Sequence, residues 1–75
     1  MDIRRVFGAN VRRHRLAAHL SQEAVAERMG VDRAHVSAIE RGLQNATLLT
    51  ILQAAQALNV QPAELLEENV PKAKN

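Results

Sequence analysis

Cysteine is absent from the 75 residues, which excludes a disulfide framework and any thiolate metal site. Nothing therefore calls for an oxidising compartment, and the expected address is the cytoplasm. Aromatic side chains are almost as scarce, Phe7 being the single Phe, Tyr or Trp. Binders of single-stranded nucleic acid stack bases on several flat side chains, so that class is disfavoured. Long apolar runs are missing as well. The most apolar stretch, residues 46–60, is broken by Thr50, Gln53, Gln56 and Asn59, too often for a membrane span. Asp2, Arg4 and Arg5 at the start argue against a secretory signal core. No segment alternates apolar and polar residues over several positions, as a half-buried strand would.

Catalytic spacings are absent too. Ser21, Ser37, the histidines and the acids form no nucleophile elbow, phosphate loop or carboxylate pair. His14, His19 and His35 are five and sixteen residues apart, not the four of a helical metal-binding pair. The sequence thus predicts no enzyme, no metal and no cofactor.

What is present is helical periodicity and an uneven charge. The net charge is only +2, but all eight arginines precede Gly42, against five acids there, giving +3. From Gly42 onward Lys72 and Lys74 meet Glu64, Glu67 and Glu68, giving −1. A basic first half is the footprint of a polyanionic partner. For Arg4, Arg5, Arg12 and Arg13 themselves two readings stand side by side: an ordinary solvated face, or contacts to phosphates.

A chain of this length buries only ~60% of its unfolded surface, enough for one domain with a modest core. We expect an all-α domain of five helices over residues 1–69 and a frayed tail over 70–75. Asp2 caps a first helix reaching about Ala18, with Phe7, Val11, His14 and Ala18 along one face. Ser21 caps a second to Met29, and Gly30 sits where a left-handed residue ends a helix. Asp32 caps a third, from Arg33 to about Arg41, which Gly42 stops. A polar loop through Asn45 leads to Thr47, the cap of a fourth helix with the stripe Leu48, Ile51, Leu52, Ala55 and Leu58. Pro62 opens a short fifth ending near Glu67.

Two short helices joined by a glycine-containing turn form a helix-turn-helix, whose second helix enters the major groove of duplex DNA. Residues 22–41 meet its packing demands. Ala26 is small where the helices cross, Gly30 supplies the turn, and Val25, Met29, Val31, Val36 and Ile39 fill the inner side.

The stretch LSQEAVAERMGVDRAHVSAIERG, residues 20–42, resembles the core of the phage-repressor and Cro-like, or Xre-type, helix-turn-helix family. The resemblance continues through ATLLTILQAAQALNVQPAELL and covers roughly Phe7 to Leu66. The run DR…IERG…N, from Asp32 to Asn45, is similar to controller proteins of restriction-modification systems. The resemblance implies the compact lambda-repressor-like fold and sequence-specific binding to double-stranded DNA. It also implies roles that the helical geometry supports. Arg33, Ala34, Ser37 and Ala38 face the groove, with His35 beside them touching DNA or covering the core. Arg33 can grip a guanine with two hydrogen bonds, and Ala34 and Ala38 offer methyl groups to thymine. Gln22, Arg41 and Asn45 hold phosphates. Arg15 and Glu40 match a pair that ties the first helix to the third, with a minor phosphate role for Arg15.

Two positions depart from the family pattern. His19 stands where glycine is usual after the first helix, although histidine tolerates a positive φ better than β-branched residues do. His14 stands where leucine is common. Leu43, Leu49, Leu65 and Leu66 exceed what one small core needs and are expected to form a dimer patch. The mechanism that follows is a homodimer on a palindromic operator, with recognition helices ~34 Å apart and no small-molecule effector. The alternatives are an antitoxin or phage-type repressor of its own operon, and a protein-interaction module that keeps the fold without binding DNA.

Overall fold

Side-chain caps divide the chain where the sequence predicts. In the computed structural model, which describes residues 1–68, Asp2 Oδ1 accepts from the Arg4 amide at 3.1 Å to open α1 (Ile3–Ala17). Ser21 Oγ accepts from the Ala24 amide at 3.0 Å to open α2 (Gln22–Met29). Asp32 precedes α3 (Arg33–Glu40) with extended backbone but makes no side-chain cap bond. Thr47 Oγ1 accepts from the Thr50 amide at 3.1 Å to open α4 (Leu48–Leu58). Each bond satisfies a donor that the first helical turn leaves without an intrahelical partner.

The expected fifth helix is instead a 3₁₀ turn, Pro62–Leu66. Five residues are too few to nucleate an α-helix in isolation. A side chain from α1 also claims the carbonyls at its end: Asn10 Nδ2 donates to Leu65 O at 3.0 Å and to Glu67 O at 2.7 Å. The expected tail, residues 70–75, lies outside the described residues.

Between α2 and α3 the turn is three residues long. Gly30 takes a φ of 76°, and the Gly30 and Val31 amides return to the carbonyls of Glu27 and Ala26. That is the left-handed helix ending for which glycine has no steric penalty. His19 adopts a φ of 59°, so the turn that usually uses glycine survives the substitution.

All four α-helices and the 3₁₀ turn contribute to one core of Phe7, Val11, Val25, Ala26, Met29, Val36, Ile39, Ala54, Ala55, Ala57, Leu58 and Leu65. The predicted stripes need two corrections. On α1, Phe7 and Val11 are buried, but His14 is half-buried and Ala18 exposed, while Asn10 and Arg15 go inside because each finds hydrogen-bonding partners there. On α4, Leu48 and Leu52 are 86% and 43% exposed, and the interior is taken by Ala54, Ala55, Ala57 and Leu58. Alanines allow close approach to α2, which presents Ala26. Arg28 of α2 fastens that contact, its Nη1 donating to Ala57 O at 2.9 Å in the last turn of α4.

The crossing of α1 and α3 is tighter still. A Cβ on Gly8 would strike the carbonyl oxygen of Ile39 and lie 3.1 Å from the carbonyl carbon and oxygen of Glu40. Only glycine lets α1 lie directly on the backbone at the end of α3.

Candidate nucleic-acid interface

Helix α3 is buried along Val36 and Ile39 and open on the opposite side. At 100° per residue, Ala34, Ser37, Ala38 and Arg41 fall on the outward side, with Arg33 and His35 at its two flanks. Arg33, Ala34 and Arg41 are exposed, whereas His35, Ser37 and Ala38 are half-buried. Arg41 Nε folds back on Ser37 O at 3.3 Å, and Asn45 is exposed in the following loop.

A chain of hydrogen bonds runs from α1 to the recognition surface. Arg15 Nε and Nη2 donate to the two carboxylate oxygens of Glu40 at 2.6 and 3.0 Å, and Nη1 donates to Leu20 O at 3.0 Å. Gln22 Nε2 donates to Glu40 Oε1 at 3.1 Å, and Gln22 Oε1 accepts from Arg33 Nη1 at 3.1 Å. The bidentate pair is almost dehydrated, and the Glu40 carboxylate raises the Arg15 pKa above its ordinary value. Charge-assisted bonds of this geometry are the strong class. Arg15 is therefore a tie between helices, with each of its three guanidinium nitrogens engaged inside the fold. Gln22 is placed at the first turn of α2 as expected, but its amide also links Glu40 to Arg33. That link was not foreseen, because residues 22, 33 and 40 share no local pattern.

The charges beside α3 are segregated. On the side of α2, Glu23, Glu27 and Asp32 line an open cleft that reaches Arg33. At the other end of α3, Glu40 is already paired with Arg15. The end of α3 that carries Arg41 is thus the more favourable to a polyanion.

Of the leucines expected to lie in a dimer patch, Leu43 and Leu49 are 62% and 61% exposed and Leu66 is exposed. Leu65 has no accessible surface and is removed from that set. The 3₁₀ turn points one of its two adjacent leucines inward and the other out. Among the described residues no group of His, Asp or Glu is arranged to hold a metal, and no helix is long and apolar enough to cross a membrane. Gly8, Asn10 and Arg28, which set the helices in place, escaped the sequence reading. A glycine inside an otherwise good helix was the one available signal.

Comparison with known proteins places this arrangement in context. The sequence pattern of the helix-turn-helix family HTH_3 matches residues 11–65. The chain is 41% identical over 66 residues to the uncharacterised HTH-type transcriptional regulator y4dJ of Sinorhizobium fredii, covering 88% of this chain and 86% of that one. It is likewise 41% identical over 66 residues to the control protein C.SmaI of Serratia marcescens, covering 88% and 79%. The crystal structure of the restriction-modification controller protein C.AhdI from Aeromonas hydrophila superposes with a TM-score of 0.79 at 44% identity, covering 83% of this chain and 94% of that one.

Proposed function

Because this chain belongs to the helix-turn-helix family HTH_3, we propose that it is a DNA-binding transcriptional regulator that grips a palindromic operator as a homodimer. The observation that carries this reading is the outward side of α3. It offers one long cationic side chain at its start, Arg33, beside the methyl groups of Ala34 and Ala38, with Arg41 and Asn45 beyond. Arg33 is assigned the base contact, two hydrogen bonds to a guanine, and Ser37, His35 and the two alanines the supporting contacts. Gln22, Arg41 and Asn45 are assigned to phosphates. The similarity to control proteins favours a controller of a restriction-modification system acting in the cytoplasm. Regulation then runs through protein concentration and self-association, with no small-molecule effector.

The dimer is assigned to α4 and its flanks, where Leu48, Leu49, Leu52, Leu43 and Leu66 leave apolar surface exposed. Two copies joined there would present recognition helices to successive major grooves, ~34 Å apart. Leu49→Glu should yield a monomer by sedimentation and bind half-sites singly; a dimer surviving both Leu49→Glu and Leu66→Glu would move the interface elsewhere.

Selection from a randomised duplex pool tests the base contact. Arg33→Ala should cost ~1–3 kcal/mol on the selected operator and relax preference at one position in each half-site. Arg41→Ala should instead weaken all sequences alike and make the salt dependence shallower by about one unit. Retention of the wild-type preference by Arg33→Ala would transfer base reading to His35 and Ser37.

A further inference from the structure

Four of the five arginines of α1, Arg4, Arg5, Arg12 and Arg13, look equivalent in the sequence, and the structure separates them. Arg5, Gly8, Arg12 and Arg15 fall on one side of the helix, at successive steps of three, four and three residues. That side borders the end of α3 along its length. Gly8 rests on the backbone of Ile39 and Glu40, and Arg15 pairs with Glu40. Arg5 lays its stem over the buried Gly42, where an added Cβ would lie 2.9 Å from Arg5 Cγ.

Arg5 and Arg12 are both exposed, and neither side chain has a hydrogen bond or ion pair among the described residues. The other two are engaged on different sides. Arg4 turns back to the Asp2 carboxylate at 3.4 Å and lines an apolar groove with Phe7, Ile51 and Leu66. Arg13 reaches Asn10 Oδ1 at 3.4 Å and the His14 ring at 3.3 Å.

We propose that Arg5 and Arg12 form a second phosphate-holding pair, which takes the DNA backbone running past the end of α3 next to Arg41. This inference rests on the DNA-binding reading and extends it to a helix outside the helix-turn-helix. Seven residues of α-helix separate the two along the axis by about 10 Å, far enough for each guanidinium to take its own phosphate. Neither guanidinium has to break an internal pair to bind: Glu40 is neutralised by Arg15, and Asp2, which lies three residues before Arg5, is paired with Arg4.

The test compares two double variants of equal net charge on the same operator duplex: Arg5→Gln with Arg12→Gln, and Arg4→Gln with Arg13→Gln. Glutamine keeps the aliphatic stem over Gly42, and circular dichroism checks that the helices persist. Affinities are measured from 50 to 200 mM salt. Two lost phosphate contacts should make the Arg5 and Arg12 variant shallower by about 1.8 in the slope of log affinity against log salt. The wild type should then lose about twelvefold more affinity than this variant over that range, while the Arg4 and Arg13 variant keeps the wild-type slope. The selected operator sequence should not change in either. A wild-type slope in the Arg5 and Arg12 variant, or an equal loss in both variants, overturns the assignment while leaving DNA binding intact. Failure of the wild-type protein to bind any selected duplex overturns the parent reading and this one with it.

Discussion

Replacing Gly8 with alanine sets two effects of opposite sign against each other. In an ordinary helix interior the change stabilises by up to about 1 kcal/mol, because glycine has more backbone freedom to lose. Here the new methyl would enter the space of the Ile39 carbonyl oxygen and crowd the Glu40 carbonyl at 3.1 Å. Both neighbours are backbone, so no rotamer change relieves the contact. The helices would have to part at the place where Arg15 bridges them to Glu40. Overpacking of this kind costs about 1–3 kcal/mol, and a rigid backbone partner argues for the upper end. Subtracting the helical gain leaves a net loss of about 2 kcal/mol, which in a domain of this size lowers Tm by roughly 8–16 °C. Urea and thermal unfolding would measure it, with Ala9→Gly at the exposed neighbouring position as the propensity control. That control should lose about 1 kcal/mol, so both exchanges destabilise although propensity gives them opposite signs. A Gly8→Ala protein as stable as the wild type would refute the close-approach argument.

Glu40→Ala should destabilise by about 3–5 kcal/mol in urea titrations, since it strands the Arg15 guanidinium in a site that is almost dehydrated. The same pair should leave stability flat on the alkaline side. A cation whose folded pKa is raised contributes fully below its unfolded value and loses that contribution only as pH rises through the folded one, so arginine should show no decline below about pH 11. His19→Gly should raise stability by about 0.5–1 kcal/mol, because a φ of 59° strains every residue with a Cβ; a fall in Tm would sink that argument. Asn10→Leu should cost about 1–3 kcal/mol, measured by urea unfolding, for the two carbonyls it leaves without donors.

The parts of this fold legible in the sequence are those decided within a few residues. Ser21, Gly30 and Thr47 mark helix ends because a cap or a left-handed turn depends on one residue and its next neighbours. Features set by distant chain segments were not legible. Asn10 reads as a surface residue until the 3₁₀ turn, 55 residues later, brings its carbonyl to the amide. Leu48 and Leu52 of α4 look like part of its inner stripe because they are large and apolar, yet neighbouring alanines take the interior where α2 comes close. Leu65 and Leu66 are identical in composition and opposite in placement, a choice made by the direction of one short turn. The α3 positions were readable because burial of Val36 and Ile39 leaves only one side to face outward. The Arg5 and Arg12 face was not, since it is defined by what α1 touches.

The bond from Arg28 to the last turn of α4 bears on how the protein would measure its site. An extra base pair between half-sites moves one of them 3.4 Å along the duplex and turns it by roughly a tenth of a helical turn. A reader with a hinge between its joining surface and its probe would absorb that change. Here α4, where the dimer is assigned, is locked to α2 by close-packed alanines and a guanidinium on its terminal carbonyl. In the proposed dimer the protomer would act as a caliper arm without a hinge, leaving altered spacing to be met at the joining surface or by bending of the DNA.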